Sequence, residues 1–346
     1  MRHCLLCRWA RRVTHSGRAR LFQSFGPVTL VMRLQLALCS ALCLGVFAAR
    51  KDACQDPLFW SGTQNVTLSV DGRDRVFELY SPWQSRGKCG ADKYCTGPPL
   101  APTRGLVMNW HGCNAHLPLL DYHTEISKVT AEAADRGYFT ITPLGTKTEY
   151  GEWGWNADGI HCASAGVDDF SFFEALFSFA QDSLCVDMKK LYTVGFSTGA
   201  FLSYGIACRY PDKIAGVGAD AGGLSLEYLE VCRGGQGAVP VQAFHSLTDP
   251  TVPYNGTNKW AGQEKVDEMW RERNGCDGSE QAEVTFSSPT TQCLKWDCPL
   301  APVESCALQE IDHCWYGGRS GGFPVCAPRA TDVDATKHMF DAWEAR

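Results

Sequence analysis

From residue 65 onward the chain alternates short apolar runs with longer segments of mixed polarity. "NVTLSV" and "RVFELYSP", joined at Asp71-Gly72, predict two strands meeting in a tight turn. "GLVMNW" (105–110) has the unbroken apolar character of a buried strand. A helical pattern over 121–136 stops at Gly137, and "YFTITP" predicts the next strand. A long loop then leads to about Val167 and a helix from Asp168 to Gln181. Beyond it come the strand "LYTVG", a helix after Ser197, the strands "IAGVGADAG" and "VPVQAFHS", and a helix from Trp260 to Arg273. "ALQEI" (307–311) predicts a last strand and "DATKHMFDAWEA" a closing helix. Strands alternating with helices predict an α/β fold, with a mostly parallel central sheet covered by helices on both faces. No repeat, low-complexity tract or linker interrupts the pattern, so residues 49–346 read as a single domain.

The first 48 residues do not share it. They hold seven arginines and neither Asp nor Glu, and Arg33 is followed by the apolar run "LQLALCSALCLGVFAA". This is the layout of a secretory signal with cleavage after Ala48; Met32 then reads as the start, and residues 1–31 as an upstream extension. The run is shorter than the roughly 20 residues of a membrane span. An organellar transit address is the rival reading.

Without this leader the chain keeps 25 of its 32 basic residues and all 38 acidic ones, so its net charge is −13 rather than −6. Such a balance disfavours nucleic acid or an anionic membrane as partner. It suits a neutral or polymeric substrate met outside the cell. Of 18 cysteines, 14 follow the leader, an even number that predicts disulfides in a secreted chain without revealing their pairing. Zinc is disfavoured because no paired Cys-x-x-Cys or His-x-x-x-His spacing occurs after the leader. The sequons Asn65-Val-Thr and Asn255-Gly-Thr fit the same compartment.

The chemistry centres on Gly195-Phe-Ser197-Thr-Gly199. Its pattern recurs at Gly318-Arg-Ser320-Gly-Gly322, but Ser320 lies in a glycine-rich stretch with no strand before it and no helix after it. Ser197 has both, as a strand–turn–helix nucleophile elbow requires. The ordinary alternative is a structural serine in such a turn. A serine hydroxyl is inert until a base takes its proton and a third group orients that base. Asp249, in "HSLTDPTVPY", and His313, in "EIDHCWYGG", each follow an apolar run and complete the order Ser, acid, His. A turn-forming Asp-Pro and an ordinary loop histidine are their alternatives, and His245 and Asp312 are weaker rivals for the same roles. The N–H groups of Thr198 and of Cys113, in "NWHGCNAH", are placed to receive an oxyanion. His111 reads as a residue that hydrogen-bonds backbone.

Taken together, "HGC", "WGWNADG", "VDDFSFF", "LYTVGFSTGAFLSYGIACRYPDKIAGVGADAGG", "FHSLTDPTVPYNG" and "HCWYGG" resemble the secreted esterases that include feruloyl esterases and polyhydroxybutyrate depolymerases. The likeness runs over about residues 65–318. It implies an α/β-hydrolase fold and carboxylic ester hydrolysis without a metal or organic cofactor. Ser197 would be the nucleophile, Asp249 the acid and His313 the base, with Cys113 and Thr198 as oxyanion donors. Trp153, Trp155, Asn156 and Trp315 match positions beside the family's site and are expected to contact substrate. That substrate would be an ester, polymeric in form, of plant cell-wall polysaccharide or polyhydroxyalkanoate. Three departures stand out: Ala200 replaces a second glycine, Asp312 and Cys314 flank the histidine, and Asp220 stands where an apolar residue is usual. An extra carboxylate at 220 could alter substrate preference or act on the histidine. An acyltransferase on the same scaffold and a non-catalytic binding protein are the other readings.

Overall fold

β3 (Leu106–Trp110) is buried at every position, as a strand needs when it has neighbours on both edges and helices on both faces. β4 (Phe139–Pro143), β9 (Leu191–Phe196), β10 (Gly216–Asp220) and β11 (Val241–Ser246) share this burial. With β14 (Val303–Leu308) they run parallel in the order β4-β3-β9-β10-β11-β14. The computed structural model describes residues 62–82, 104–113, 119–157, 160–162, 164–309, 312–318 and 332–346, all within the compact unit Asp52–Arg346. The leader and Ser320 lie outside the described residues. Among those described, no helix is long and apolar enough to cross a membrane.

Antiparallel strands extend the sheet at both ends, bringing it to ten strands. β1 (Gly62–Val70) and β2 (Arg73–Ser81) form the predicted hairpin beside β4. β13 (Thr291–Trp296) and β12 (Glu283–Ser287) continue past β14. Alternate residues of each central strand feed two separate cores. Leu106, Met108, Trp110 and Leu191 pack with α3 (Asp169–Ser183), α4 (Thr198–Arg209), α5 (Leu226–Arg233) and α6 (Gln263–Arg273). Val107, Tyr192, Val194 and Phe196 face α2 (Val129–Arg136) and α7 (Ala335–Glu344). The expected two-faced α/β architecture is present. α4 is buried around its whole circumference, which marks it as the central helix rather than an amphipathic cover.

Local differences from the sequence expectation have local causes. The helix over 121–136 is two helices, α1 (Leu119–Ser127) and α2, because Lys128 between them adopts a left-handed conformation (φ 56°). The Lys128 ammonium then reaches the Gly317 carbonyl at 2.6 Å. The long loop before Val167 contains two small ladders: β5 (Thr146–Lys147) with β6 (Trp153–Gly154), and β7 (Asn156–Ala157) with β8 (Ile160–His161). β12 and β13 were not expected. β12 is largely exposed and bulged between Val284 and Phe286, so it lacks the apolar alternation that signals a strand. The disulfides Cys276–Cys298 and Cys293–Cys306 staple this region, and the second joins register partners on β13 and β14. Cys208–Cys232 ties α4 to α5, and Cys185 and Cys314 are also oxidised. Closing loops of this size contributes about 3 kcal/mol each in a chain-entropy model.

Candidate active site

The parallel strands deliver their C-terminal ends to one edge of the sheet, where open α/β folds bind ligands. β9 ends there in Ser197, whose backbone (φ 53°, ψ −121°) lies in a region L-residues rarely occupy. The carbonyl of Ser197 accepts the Ala200 and Phe201 N–H groups at 2.9 and 3.1 Å, starting α4 within one residue of the strand. Gly199 is required because any Cβ there would collide with the Trp110 carbonyl. Ser197 is 7% exposed. Thr198 opens α4, so its N–H belongs to the first-turn amides that lack a helical acceptor.

β3 ends in His111-Gly112-Cys113, which abuts that turn. A Cβ on Gly112 would lie 2.9 Å from the Phe196 ring and 3.2 Å from the Ser197 Cβ. The imidazole of His111 is fully buried; its Nδ1 bonds the Gly112 carbonyl at 2.6 Å, and its Nε2 accepts the Gly145 N–H at 2.9 Å. An Nε2 that accepts carries no proton, so the ring is neutral with its hydrogen on Nδ1. Burial pulls its pKa down to about 4, with the Gly112 bond opposing and Arg75 reinforcing the shift. His111 therefore braces backbone, as its sequence context suggested. Cys113 is exposed and disulfide-bonded to Cys162.

β11 leads to Asp249, which is buried. Its Oδ1 accepts the Thr251 and Val252 N–H groups, both at 2.8 Å, and its Oδ2 accepts His313 Nδ1 at 2.7 Å. Burial alone would raise this carboxyl. The neighbouring imidazoles of His245 and His313, with the hydrogen bond from the Val252 N–H, outweigh it and hold the group well below the usual carboxylate range. The rivals sit differently. His245 donates its Nε2 proton to the Val252 carbonyl at 2.8 Å and stands 3.6 Å from Asp249, bracing the acid's loop. Asp312 is exposed. His313 packs on the Phe196 ring with centroids 4.9 Å apart. Phe196 thus touches both Gly112 and His313, which gathers the serine turn, the histidine and the His-Gly-Cys loop around the end of β9. With Nδ1 engaged by Asp249, Nε2 of His313 is the nitrogen left for proton transfer.

The four residues expected to meet substrate divide. Trp155 is wholly buried and donates its indole N–H to the His111 carbonyl at 2.7 Å. Trp315 is almost as buried and donates to Thr336 Oγ1 at 2.9 Å. Neither has surface to offer a ligand in this arrangement; both hold loops of the site. Asn156 spends its side-chain amide on the Ser164 and Val167 carbonyls. Its N–H goes to Asp169, which pairs with Arg75 at 2.6 Å in a buried ion pair. Trp153 stays half-exposed, with an indole N–H that has no partner among the described residues. Tryptophan-rich spacing signals either use, and burial alone decides between them.

Two clusters among the described residues have metal-like proximity, Cys293–Cys306–His338 and Cys113–Glu152–Cys162. In each the two sulfurs are disulfide-bonded, so neither offers a thiolate. The pairing of Cys113 with Cys162 carried no signal in the sequence, whereas Asp220 stood out as a carboxylate in a place where an apolar residue is usual.

No protein-family profile matches the chain. Among curated proteins it is 26% identical to feruloyl esterase D of Neurospora crassa over 250 residues, covering 70% of this chain and 74% of that protein. It is 31% identical to feruloyl esterase C of Emericella nidulans over 180 residues, covering 52% of this chain and 60% of that one. Several other matched relatives are likewise covered over 60% of their length or less. Among solved structures, an acetyl xylan esterase from Aspergillus awamori superposes with a TM-score of 0.54 at 15% identity, over 73% of this chain and 94% of its own. The fold is that of the α/β-hydrolases.

Proposed function

We propose that this chain, which is similar in sequence to feruloyl esterases and has the α/β-hydrolase fold, is a secreted serine esterase that cleaves feruloyl esters of plant cell-wall polysaccharide. The observation that carries this reading is the 2.7 Å bond between His313 Nδ1 and Asp249 Oδ2, at the same sheet edge as the strained Ser197 turn. The feruloyl ester as substrate rests on likeness to the curated relatives. The disulfides support an oxidising, extracellular compartment.

In the proposed cycle His313 Nε2 removes the Ser197 hydroxyl proton as the oxygen attacks the ester carbonyl. Asp249 holds the imidazole in the tautomer that can do this and stabilises the imidazolium that forms. The N–H groups of Cys113 and Thr198 receive the oxyanion. The histidine then returns the proton to the leaving alkoxide, freeing the alcohol and leaving an acyl-Ser197 ester. Water, activated by the same histidine, repeats the sequence and releases the acid. No metal or organic cofactor enters any step.

The test is ester release from methyl ferulate, acetylated xylan and a polyhydroxybutyrate suspension, with Ser197→Ala run beside the wild type. The expected result is ferulate release that vanishes in the variant. Turnover persisting in Ser197→Ala would overturn the nucleophile. Transfer of the acyl group to an added alcohol in preference to water would make the protein an acyltransferase. A folded protein that turns over none of these esters, and is not labelled by a fluorophosphonate, would leave binding as its role.

A further inference from the structure

Resting on the triad just described, we propose that Asp220 is a positioning residue for the reaction, coupling the turn that carries the nucleophile to the loop that carries the base. Asp220 ends β10, between the strands that lead to Ser197 and to Asp249. Its backbone carbonyl accepts the Ser197 N–H at 2.9 Å. Its side chain is fully buried, and Oδ2 accepts the Tyr316 N–H at 3.1 Å, three residues past His313. Tyr316 in turn accepts the Ser246 N–H on its phenolic oxygen at 2.9 Å. The Ser246 carbonyl takes the Asp249 N–H at 3.3 Å. A chain of hydrogen-bonded residues thus runs behind the site from Ser197 through Tyr316, on the histidine's loop, to Asp249, and Asp220 is the joint where the elbow meets that loop.

The joint has little slack. Ala221 follows at φ 51°, and Gly222 packs so closely on the elbow that a Cβ there would lie 2.7 Å from the Ser197 carbonyl oxygen. A displacement of Asp220 therefore passes to Ser197 rather than being absorbed by the turn.

Its charge state matters because of what surrounds it. Oδ1 has no partner among the described residues. The titratable groups that act on it are Asp249, from the loop after β11, and Tyr316, from the histidine's loop. β9 offers it backbone, and α7 meets β10 through the apolar Met339. Burial first, then the negative charge of Asp249, raise the Asp220 carboxyl well above its ordinary range, against the Tyr316 N–H. A neutral acid holds the loop without setting a second negative charge beside the Asp249–His313 pair. Ionisation as the pH rises would introduce that charge.

The experiment compares Asp220→Asn and Asp220→Ala in the full chain with p-nitrophenyl acetate, after showing that wild-type hydrolysis of this ester is lost in Ser197→Ala. Absence of that baseline would remove the triad reading and this inference with it. The asparagine keeps an uncharged acceptor for the Tyr316 N–H. It should hold kcat at pH 7 within about threefold, and move the alkaline limb of the pH–kcat profile upward by about one pH unit or more. The alanine should lower kcat by about tenfold to a hundredfold with KM little changed. Wild-type kcat in the alanine variant, equal impairment of both variants, or an unmoved alkaline limb in Asp220→Asn would each overturn the assignment. Should the alanine variant fail to fold, the asparagine profile decides alone.

Discussion

Trp155 donates its indole N–H to the carbonyl of His111 at 2.7 Å. The acceptor lies in the loop that supplies one proposed oxyanion donor, so a residue without access to the ligand can still reach the chemistry. His111 fixes the Gly112 carbonyl with its own ring. In a planar trans peptide, fixing that carbonyl aims the following Cys113 N–H the opposite way. Trp155 locks the peptide before it.

Replacing Trp155 by Phe removes this bond and leaves a gap against Trp110, whose ring centroid lies 5.2 Å away. Stability should fall by about 2 kcal/mol. The kcat should fall by about tenfold with KM nearly constant, because the loss is of transition-state alignment. Urea melts and steady-state kinetics separate the two effects. A raised KM with intact kcat would return Trp155 to the role of substrate contact.

Ser197 holds a φ of 53°, where a side chain costs roughly 1 kcal/mol or more and glycine costs nothing. Ser197→Gly should therefore melt above the wild type, while Ser197→Ala keeps the strain. Both should lose turnover by about 10⁴-fold or more. Calorimetry and ester release on the same preparations check both halves of this prediction.

His111 sets an acid-side limit on stability. Its folded pKa of about 4 lies below the ordinary histidine value near 6.5, and His123, also buried, is shifted the same way by burial and then by His111. Between those values the unfolded chain binds protons that the folded chain refuses, so folding stability rises with pH across the window and falls as pH drops from about 6.5 toward 4. For His111 the loss is on the order of 3 kcal/mol. Asp249 acts lower. Its depressed carboxyl contributes stability above about pH 4 that is lost on further acidification. Urea midpoints at pH 7, 5.5 and 4.5 should descend, with a shallower slope in His111→Gln.

The Cys113–Cys162 disulfide ties the proposed oxyanion loop to the segment bearing Trp153 and Asn156. The double substitution Cys113→Ser with Cys162→Ser should lower the melting temperature, since a loop this long is worth up to about 4 kcal/mol. It should also reduce kcat, leaving the fold's circular dichroism unchanged. Full activity in the double variant would place the oxyanion donor elsewhere.

Much of the architecture is legible in the sequence because buried parallel strands are written as unbroken apolar runs, as in "GLVMNW" and "LYTVGF". The serine turn announces itself because close packing of a helix start on β3 admits only glycine at 199. The break at Lys128 was not legible. A left-handed lysine follows from where its ammonium binds, and nothing in "ISKVTAEAADR" anticipates the Gly317 carbonyl. β12 escaped because it is largely exposed and lacks an apolar face, and β13 because the disulfide that secures it to β14 cannot be paired from the sequence. Trp155 and Trp315 look the same as Trp153 in one dimension, and only three-dimensional burial assigns them to scaffold.

The bond between Cys293 and Cys306 joins strands that already face each other in register, which gives the sheet two unlike margins. Beside β14 a rung of the ladder is covalent. A zipper opening from that side must stop at it, whatever happens to the hydrogen bonds beyond. At the far margin, among the described residues, β1 and β2 are joined by hydrogen bonds and a two-residue turn. Thermal unravelling of the sheet therefore has a direction. An opening that starts at β12 meets the covalent rung after one strand, whereas one that starts at the hairpin meets none before the serine strand, so amides of β1 and β2 should exchange with solvent before those of β13 and β14.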